Sequence, residues 1–255
     1  MNNKNHIRTA VILAAGTGSR LQPLTQQAPK CLTRVGEETI LYQQLKHLRS
    51  HGISHLVMVI GYMGDHIKRY LEEHAPDFSV EWINNPHYAS TNNIYSLWLA
   101  RSAITEPFLL LESDLVFDGD QLEAMLEFDR IAVSPTQPWM NGSHVEVGEN
   151  EEVIQFIQPP EEIPPNSYKT VNIYSFSQTS WKRALQGIQK MVKAGRLDAY
   201  YETAFAGLVA AGQLKMKAVK FDPDRWYEID TLDDLQAAKQ RMISMKNIAQ
   251  AGHRG

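Results

Sequence analysis

The first half of the chain alternates between short apolar runs and longer segments whose apolar residues recur every three to four positions. Ala10–Leu13, Leu56–Ile60 and Phe108–Leu111 are apolar throughout, which predicts strands buried on both faces. Val80–Ile83 reads as a fourth, shorter strand. Between them, Ile40–His51 places Leu41, Leu45 and Leu48 on one stripe and stops at Gly52, which predicts a helix. Asp65–His74 predicts a second helix, and Asn93–Ala103 a third, with Ser90, Thr91 and Asn92 as its capping residues. Strand–helix alternation of this kind is the pattern of a mostly parallel sheet flanked by helices, an α/β fold.

The second half changes rhythm. Ile131–Ser134, Val145–Gly148, Ile154–Phe156 and Val171–Phe176 are short strands separated by turn residues, and Pro159–Pro165 is a proline-rich loop. Helices are expected over Trp181–Ala194, Tyr200–Ala211 and Leu232–Lys246, with a strand at Lys217–Phe221. We expect one domain over residues 1–246, with an inserted, more antiparallel acceptor-binding region at about 130–180 and a frayed tail at 247–255.

At 255 residues, 43% hydrophobic and 21% charged, the chain has the composition of a globular protein with a full core. A net charge of −4, with dispersed basic residues, gives no electrostatic reason to expect nucleic acid or an acidic membrane as partner. Cys31 is the single cysteine, so the chain has no internal disulfide and no cysteine metal cluster; it reads as a small buried hydrophobe. No segment has the length of a membrane span or the form of a leader peptide, from which a cytoplasmic location is expected. A homodimer is compatible with the sequence and is not specified by it.

Most of the chemical information lies in residues 11–35. The strand runs into Ala14-Ala15-Gly16-Thr17-Gly18, with Arg20 next and Lys30 after Pro29. Glycines let backbone wrap closely around a ligand, and successive N–H groups form an anion-binding concavity. Arg20 offers a bidentate fork for phosphate oxygens and Lys30 a mobile point charge, which completes a triphosphate cradle. Neither common alternative fits. A P-loop requires a lysine directly after its second glycine, and the dinucleotide fingerprint requires a third glycine where Leu21 stands.

Two carboxylates are placed to hold a divalent ion. Asp114 follows an apolar strand, at the carboxyl end where open parallel sheets keep their sites. Asp230 closes Trp226-Tyr227-Glu228-Ile229-Asp230, whose alternation sends Tyr227 and Ile229 one way and Glu228 and Asp230 the other. Mg²⁺ is commonly held by one or two carboxylates plus substrate phosphates. The competing role for Asp230 is to cap the helix that follows Thr231. The nine histidines are scattered and share no metal-ligand spacing.

The string Leu13-Ala14-Ala15-Gly16-x-Gly18-x-Arg20-Leu21-x-Pro23-Leu24-Thr25-x-x-x-Pro29-Lys30 resembles the signature of nucleotidyltransferases, which join an NTP to a phosphorylated small molecule and release pyrophosphate. With Thr91-Asn92-Asn93-Ile94-Tyr95-Ser96-Leu97, Glu112-Ser113-Asp114 and Tyr227-Glu228-Ile229-Asp230, it is similar to the bacterial CTP:phosphocholine and 2-aminoethylphosphonate cytidylyltransferases over residues 10–242. The resemblance implies a Rossmann-like nucleotidyltransferase fold, Mg²⁺ dependence and use of CTP. It implies that Leu13, Ala14, Ala15, Gly16, Gly18, Asn92, Asn93 and Ser96 surround the nucleotide. It further implies that Arg20 and Lys30 are the catalytic phosphate-holding pair, and that Asp114 and Asp230 are the metal ligands.

Sugar-1-phosphate nucleotidyltransferases usually carry Glu-Lys-Pro in the middle region, whereas this chain has Gln158 before Pro159. A neutral amide does not neutralise a phosphate, and Lys169 is the candidate replacement. For a cationic acceptor end, aromatic faces backed by carboxylates are needed. Leu197-Asp198-Ala199-Tyr200-Tyr201-Glu202 and Trp226-Tyr227-Glu228 supply both, and Trp139 is a further aromatic candidate. Asp198, Tyr200, Tyr201 and Glu228 are therefore the expected acceptor residues, with Asp198 foremost. The expected partners are CTP and a small zwitterionic phosphate or phosphonate, with no nucleic acid and no membrane insertion. Two other readings stay open: a sugar-1-phosphate nucleotidyltransferase, and an inactive nucleotide-binding subunit. Retention of Arg20, Lys30, Asp114 and Asp230 together argues against the second.

Overall fold

A computed structural model describes residues 7–157, 164 and 167–241. Gln158, most of the proline-rich loop, the end of the last predicted helix and the tail at 247–255 lie outside the described residues. Strand β1 (Thr9–Ala14) is buried at every position, as its unbroken apolar run requires. A 3₁₀-rich loop leads to the small hairpin of β2 (Arg34–Val35) and β3 (Glu38–Thr39), then to α1 (Ile40–Ser50). Thr39 caps α1 by accepting a hydrogen bond from the Tyr42 N–H. Next come β4 (His55–Ile60), α2 (Gly64–His74) and β5 (Ser79–Asn84). Helix α3 (Asn93–Leu99) is capped by the Asn92 side chain. It tightens into a 3₁₀ turn over Ala100–Ser102, so the predicted helix ends earlier as α-helix.

Strand β6 (Phe108–Glu112) pairs parallel to β1, and β1 pairs parallel to β4, which pairs parallel to β5. This half is the expected parallel core, with its carboxyl ends at Ala14, Ile60, Asn84 and Glu112. The short strand β7 (Leu115–Phe117) leaves the sheet to pair later with β13.

The second half is antiparallel in character. It comprises β8 (Arg130–Pro135), β9 (His144–Val147), β10 (Val153–Ile157) and the ten-residue β11 (Ser167–Phe176). β11 is antiparallel to β6 through Ile173–Phe176, to β9 through Ser167–Lys169, and to β8 on both sides of a register shift between Thr170 and Tyr174. Helices α4 (Gln178–Lys193) and α5 (Tyr201–Ala210) follow. β12 (Lys217–Lys220) joins β8, and β13 (Trp226–Glu228) joins β7. A terminal helix is described over 232–241. Among the described residues the main sheet has nine strands, mixed in direction, with two apolar clusters packed on its faces. No helix of the described residues is long and apolar enough to cross a membrane.

Candidate active site

The carboxyl ends of β1 and β6 open onto a cleft of about 780 Å³, the place where an open parallel sheet offers loop backbone rather than paired strand. Every residue expected at the nucleotide lines it: Leu13, Ala14, Ala15, Gly16, Gly18, Asn92, Asn93 and Ser96. Arg20, Lys30, Asp114, Asp230, Lys169, Tyr200 and Glu228 line it as well. Asp198 and Tyr201 do not. Asp198 is exposed outside the cleft, and Tyr201 is fully buried in the apolar cluster behind it.

The glycine loop is built around Lys30. Gly18 has φ +62°, and a Cβ there would come within 3.0 Å of both Lys30 Cβ and Thr25 Cγ2. The Thr25 hydroxyl donates to the Gly18 carbonyl at 2.9 Å, which pins the turn. At Gly16 a Cβ would meet no protein atom within 4 Å, so the loop backbone is open to the cleft there.

Lys30 Nζ donates to Asp114 Oδ2 at 2.7 Å and to Asp230 Oδ1 at 2.6 Å, so residues 200 positions apart reach one point. Arg20 reaches the same Asp230 oxygen at 2.8 Å from a much more exposed position. Burial alone would lower the affinity of Lys30 for its proton; Asp114 and Asp230 more than reverse this, and its pKa is raised. The lysine therefore stays charged across the working range of an enzyme. Asp114 Oδ1 is buried with no hydrogen-bond partner, a spare hard oxygen beside a second carboxylate. Two carboxylates with a free oxygen fit Mg²⁺, which takes few protein ligands and completes its shell from phosphates and water. Among the described residues no group of three or more His, Cys, Asp or Glu side chains is placed to hold a metal, so an all-protein cage is not the geometry on offer. Asp230 does not cap the last helix, for Asp234 and Thr231 bond one another there and Asp234 also receives the Asp230 N–H. Cys31 is buried, and burial pushes its thiol up to about 12, so it is not a nucleophile.

The asparagines of the cleft are braced. Asn93 accepts from the Tyr201 N–H at 2.9 Å and donates to Glu112 Oε1 at 3.1 Å, tying α3 to α5 and to the end of β6. Buried Asn85, not anticipated from the sequence, donates to Thr91 Oγ1 and Ser96 Oγ, each at 3.1 Å. Lys169 is buried: it is 1% exposed, donates to the Thr170 carbonyl at 2.5 Å and lies 3.6 Å from Glu228 Oε2. Asn172, held at φ +61° where the β11 register shifts, donates to Glu228 Oε1 at 3.4 Å.

Three glutamates gather at this end: Glu112, Glu202 and Glu228. Burial raises all three pKa values; Asp114 adds to the effect at Glu112, while Lys169 offsets part of it at Glu202 and Glu228. The expected aromatic box is mostly elsewhere. Trp139 stacks on Tyr227 with ring centroids 4.0 Å apart and carries Arg241 over its ring, and Trp226 is core. Tyr88 and Tyr200 are the aromatic residues lining the cleft among the described residues.

Glu202 makes a stability prediction. Its pKa is pushed up to about 7 from an ordinary value of 4.5. The unfolded carboxyl ionises near 4.5 and the folded one near 7, so stability falls as pH rises through that window and stays reduced above it. Glu202→Gln removes the loss. Its unfolding free energy relative to wild type is expected to rise by up to roughly 3 kcal/mol between pH 4 and pH 8. Urea unfolding at both pH values measures this, and packing changes contribute equally at each. A pH-independent difference would show that Glu202 does not carry the shift.

Against known proteins, the family described as Nucleotidyl transferase matches residues 9–244. CMP-5'-(3-aminopropyl)phosphonate synthase of Streptomyces rubellomurinus is 28% identical over 241 residues, which are 91% of this chain and 38% of that protein. Choline-phosphate cytidylyltransferase of Streptococcus pneumoniae is 32% identical over 108 residues, 42% of this chain and 45% of that protein. The chain thus spans less than half the length of these relatives within the matches. A solved structure of CTP:phosphocholine cytidylyltransferase from Streptococcus pneumoniae has a TM-score of 0.76 at 22% identity, covering 92% of this chain and 100% of that one. This likeness is one of fold.

Proposed function

Since the chain belongs to the nucleotidyl transferase family, we propose that it is a cytidylyltransferase joining CTP to a small zwitterionic phosphate or phosphonate. One observation carries the reading: Asp114 and Asp230 meet at Lys30 beside the glycine loop, in the same cleft as a carboxylate-lined end. The relatives named above, which act in their own names on an aminopropylphosphonate and on choline phosphate, support the choice of acceptor class.

In the reaction an acceptor oxygen attacks the α-phosphorus of CTP, a new P–O bond forms, and the bond to the β-phosphate oxygen breaks to release pyrophosphate. The acceptor oxygen is already anionic, so no general base is needed and the protein's work is positioning and charge neutralisation. The loop backbone at Gly16–Gly18 holds the triphosphate, Lys30 faces its charge from within the cleft, and Arg20 covers it from outside. Asp114 and Asp230 would hold Mg²⁺, which supplies further neutralisation of the phosphates when bound. The acceptor's anionic end faces Lys30 and Lys169, and its cationic end faces Glu202, Glu228 and Tyr200.

The test is pyrophosphate release with each NTP against a panel of acceptors. CTP with phosphocholine or 2-aminoethylphosphonate is expected to give turnover well above CTP with glucose-1-phosphate. Efficient use of the sugar phosphate with both zwitterions refused would replace this reading with a sugar-1-phosphate nucleotidyltransferase. Pyrophosphate release with no pair would leave a nucleotide-binding protein without transfer activity.

A further inference from the structure

The carboxylate-lined end of the cleft says which kind of amine it takes. Glu202 is 4% exposed, and its Oε2 is buried with no hydrogen-bond partner although the residue lines the cleft. A buried oxygen without a donor costs on the order of 1–3 kcal/mol, so a partner that brings an N–H is favoured there. Glu112 and Glu228 line the same cleft, near the buried cation Lys169, whose ammonium is already engaged by Thr170 and Glu228. Aromatic faces are sparse: among the described residues Tyr88 and Tyr200 line the cleft, while Tyr201 and Trp226 are core.

These features separate two cations of equal charge. A trimethylammonium group has no N–H, is recognised by the faces of several aromatic rings, and would leave the Glu202 oxygen unsatisfied. A primary ammonium brings three donors. We propose that Glu202 is the specificity-determining residue of the acceptor end and that it selects a primary ammonium over its N-methylated counterparts. This rests on the proposed cytidylyltransferase reading.

The experiment uses CTP with phosphoethanolamine and its mono-, di- and trimethylated forms at one pH, with 2-aminoethylphosphonate as reference. In the wild type, kcat/KM is expected to fall with each methyl, by roughly 10- to 100-fold across the series, the size of a lost hydrogen bond to a charged group. Glu202→Gln is expected to raise KM for the unmethylated amine by a similar factor, to flatten the series, and to leave KM for CTP within about twofold. Phosphocholine turned over as well as phosphoethanolamine by wild type would overturn the proposal while leaving the cytidylyltransferase reading intact. An unchanged methylation slope in Glu202→Gln would likewise overturn the role of Glu202. If that variant fails to fold, the wild-type series alone decides. Refusal of every amine, with turnover of a sugar phosphate, would instead count against the underlying reading and take this proposal with it.

Discussion

Asp114→Asn and Asp230→Asn are each expected to lower turnover with CTP by roughly 10²–10³-fold, the scale on which removing one preorganised electrostatic group acts in an enclosed site. Each change is nearly isosteric and removes only a charge. Both carboxylates bond the same Lys30 ammonium, at 2.7 and 2.6 Å, so either substitution unbalances a set of opposed charges in a partly desolvated cleft. With one carboxylate missing, Mg²⁺ would be held less well, and the triphosphate's charge would be less neutralised as pyrophosphate departs. The fold should persist, because neither side chain belongs to the apolar clusters that hold the sheet. Steady-state kinetics over a Mg²⁺ titration measures the loss, with circular dichroism as the control for folding. Near-normal turnover of both variants at saturating Mg²⁺ would remove the two residues from the machinery.

Lys30→Ala is expected to have the next largest effect, roughly 10²–10³-fold on kcat with a smaller change in KM for CTP. The lysine is 14% exposed at its side chain while Arg20 is 67% exposed, although both pair with Asp230. Charge in the enclosed position is screened less by solvent, so Lys30 should matter more than Arg20. Arg20→Ala is accordingly expected to cost less than Lys30→Ala, in the same assay. An effect of Lys30→Ala confined to KM would make the lysine a binding group only. Equal losses from the two variants would show that the difference in exposure carries no weight.

The glycine-loop wall of the cleft was legible in the sequence because it is local. Leu13 to Lys30 form one continuous loop, so their joint presence in the cleft follows once β1 ends where its apolar run ends. Asp114 and Asp230 were legible for a related reason, each lying just beyond a strand whose direction the pattern defines. The carboxylate-lined end of the cleft was not, and α5 shows why. Its sequence, Tyr201-Glu202-Thr203-Ala204-Phe205-Ala206-Gly207-Leu208-Val209-Ala210, is apolar on nearly every side, so no stripe fixes which way the helix is turned. Adjacent helical residues point about 100° apart, and the turn that buries Tyr201 sends Glu202 to the cleft. Asp198 lies three residues before this helix in a loop with no periodicity to read, and it is left outside. Trp139 went astray for want of its partner: the ring it stacks on, Tyr227, is distant in sequence. Asn172 shows up only through its left-handed backbone at a register shift, which a strand pattern does not announce.

Strand β11 belongs to two neighbourhoods at once. Its last four residues pair with β6 at the edge of the parallel core, its first residues pair with β9, and β8 runs beside both parts across the register shift. Asn172 sits in that shift and lines the cleft with Lys169 and Glu228. Descendants of such a chain can therefore exchange the loops hung on the outer part of β11 while the inner part keeps its ladder. On the proposed function, acceptor preference can then drift across a lineage while the way of holding a triphosphate is inherited unchanged.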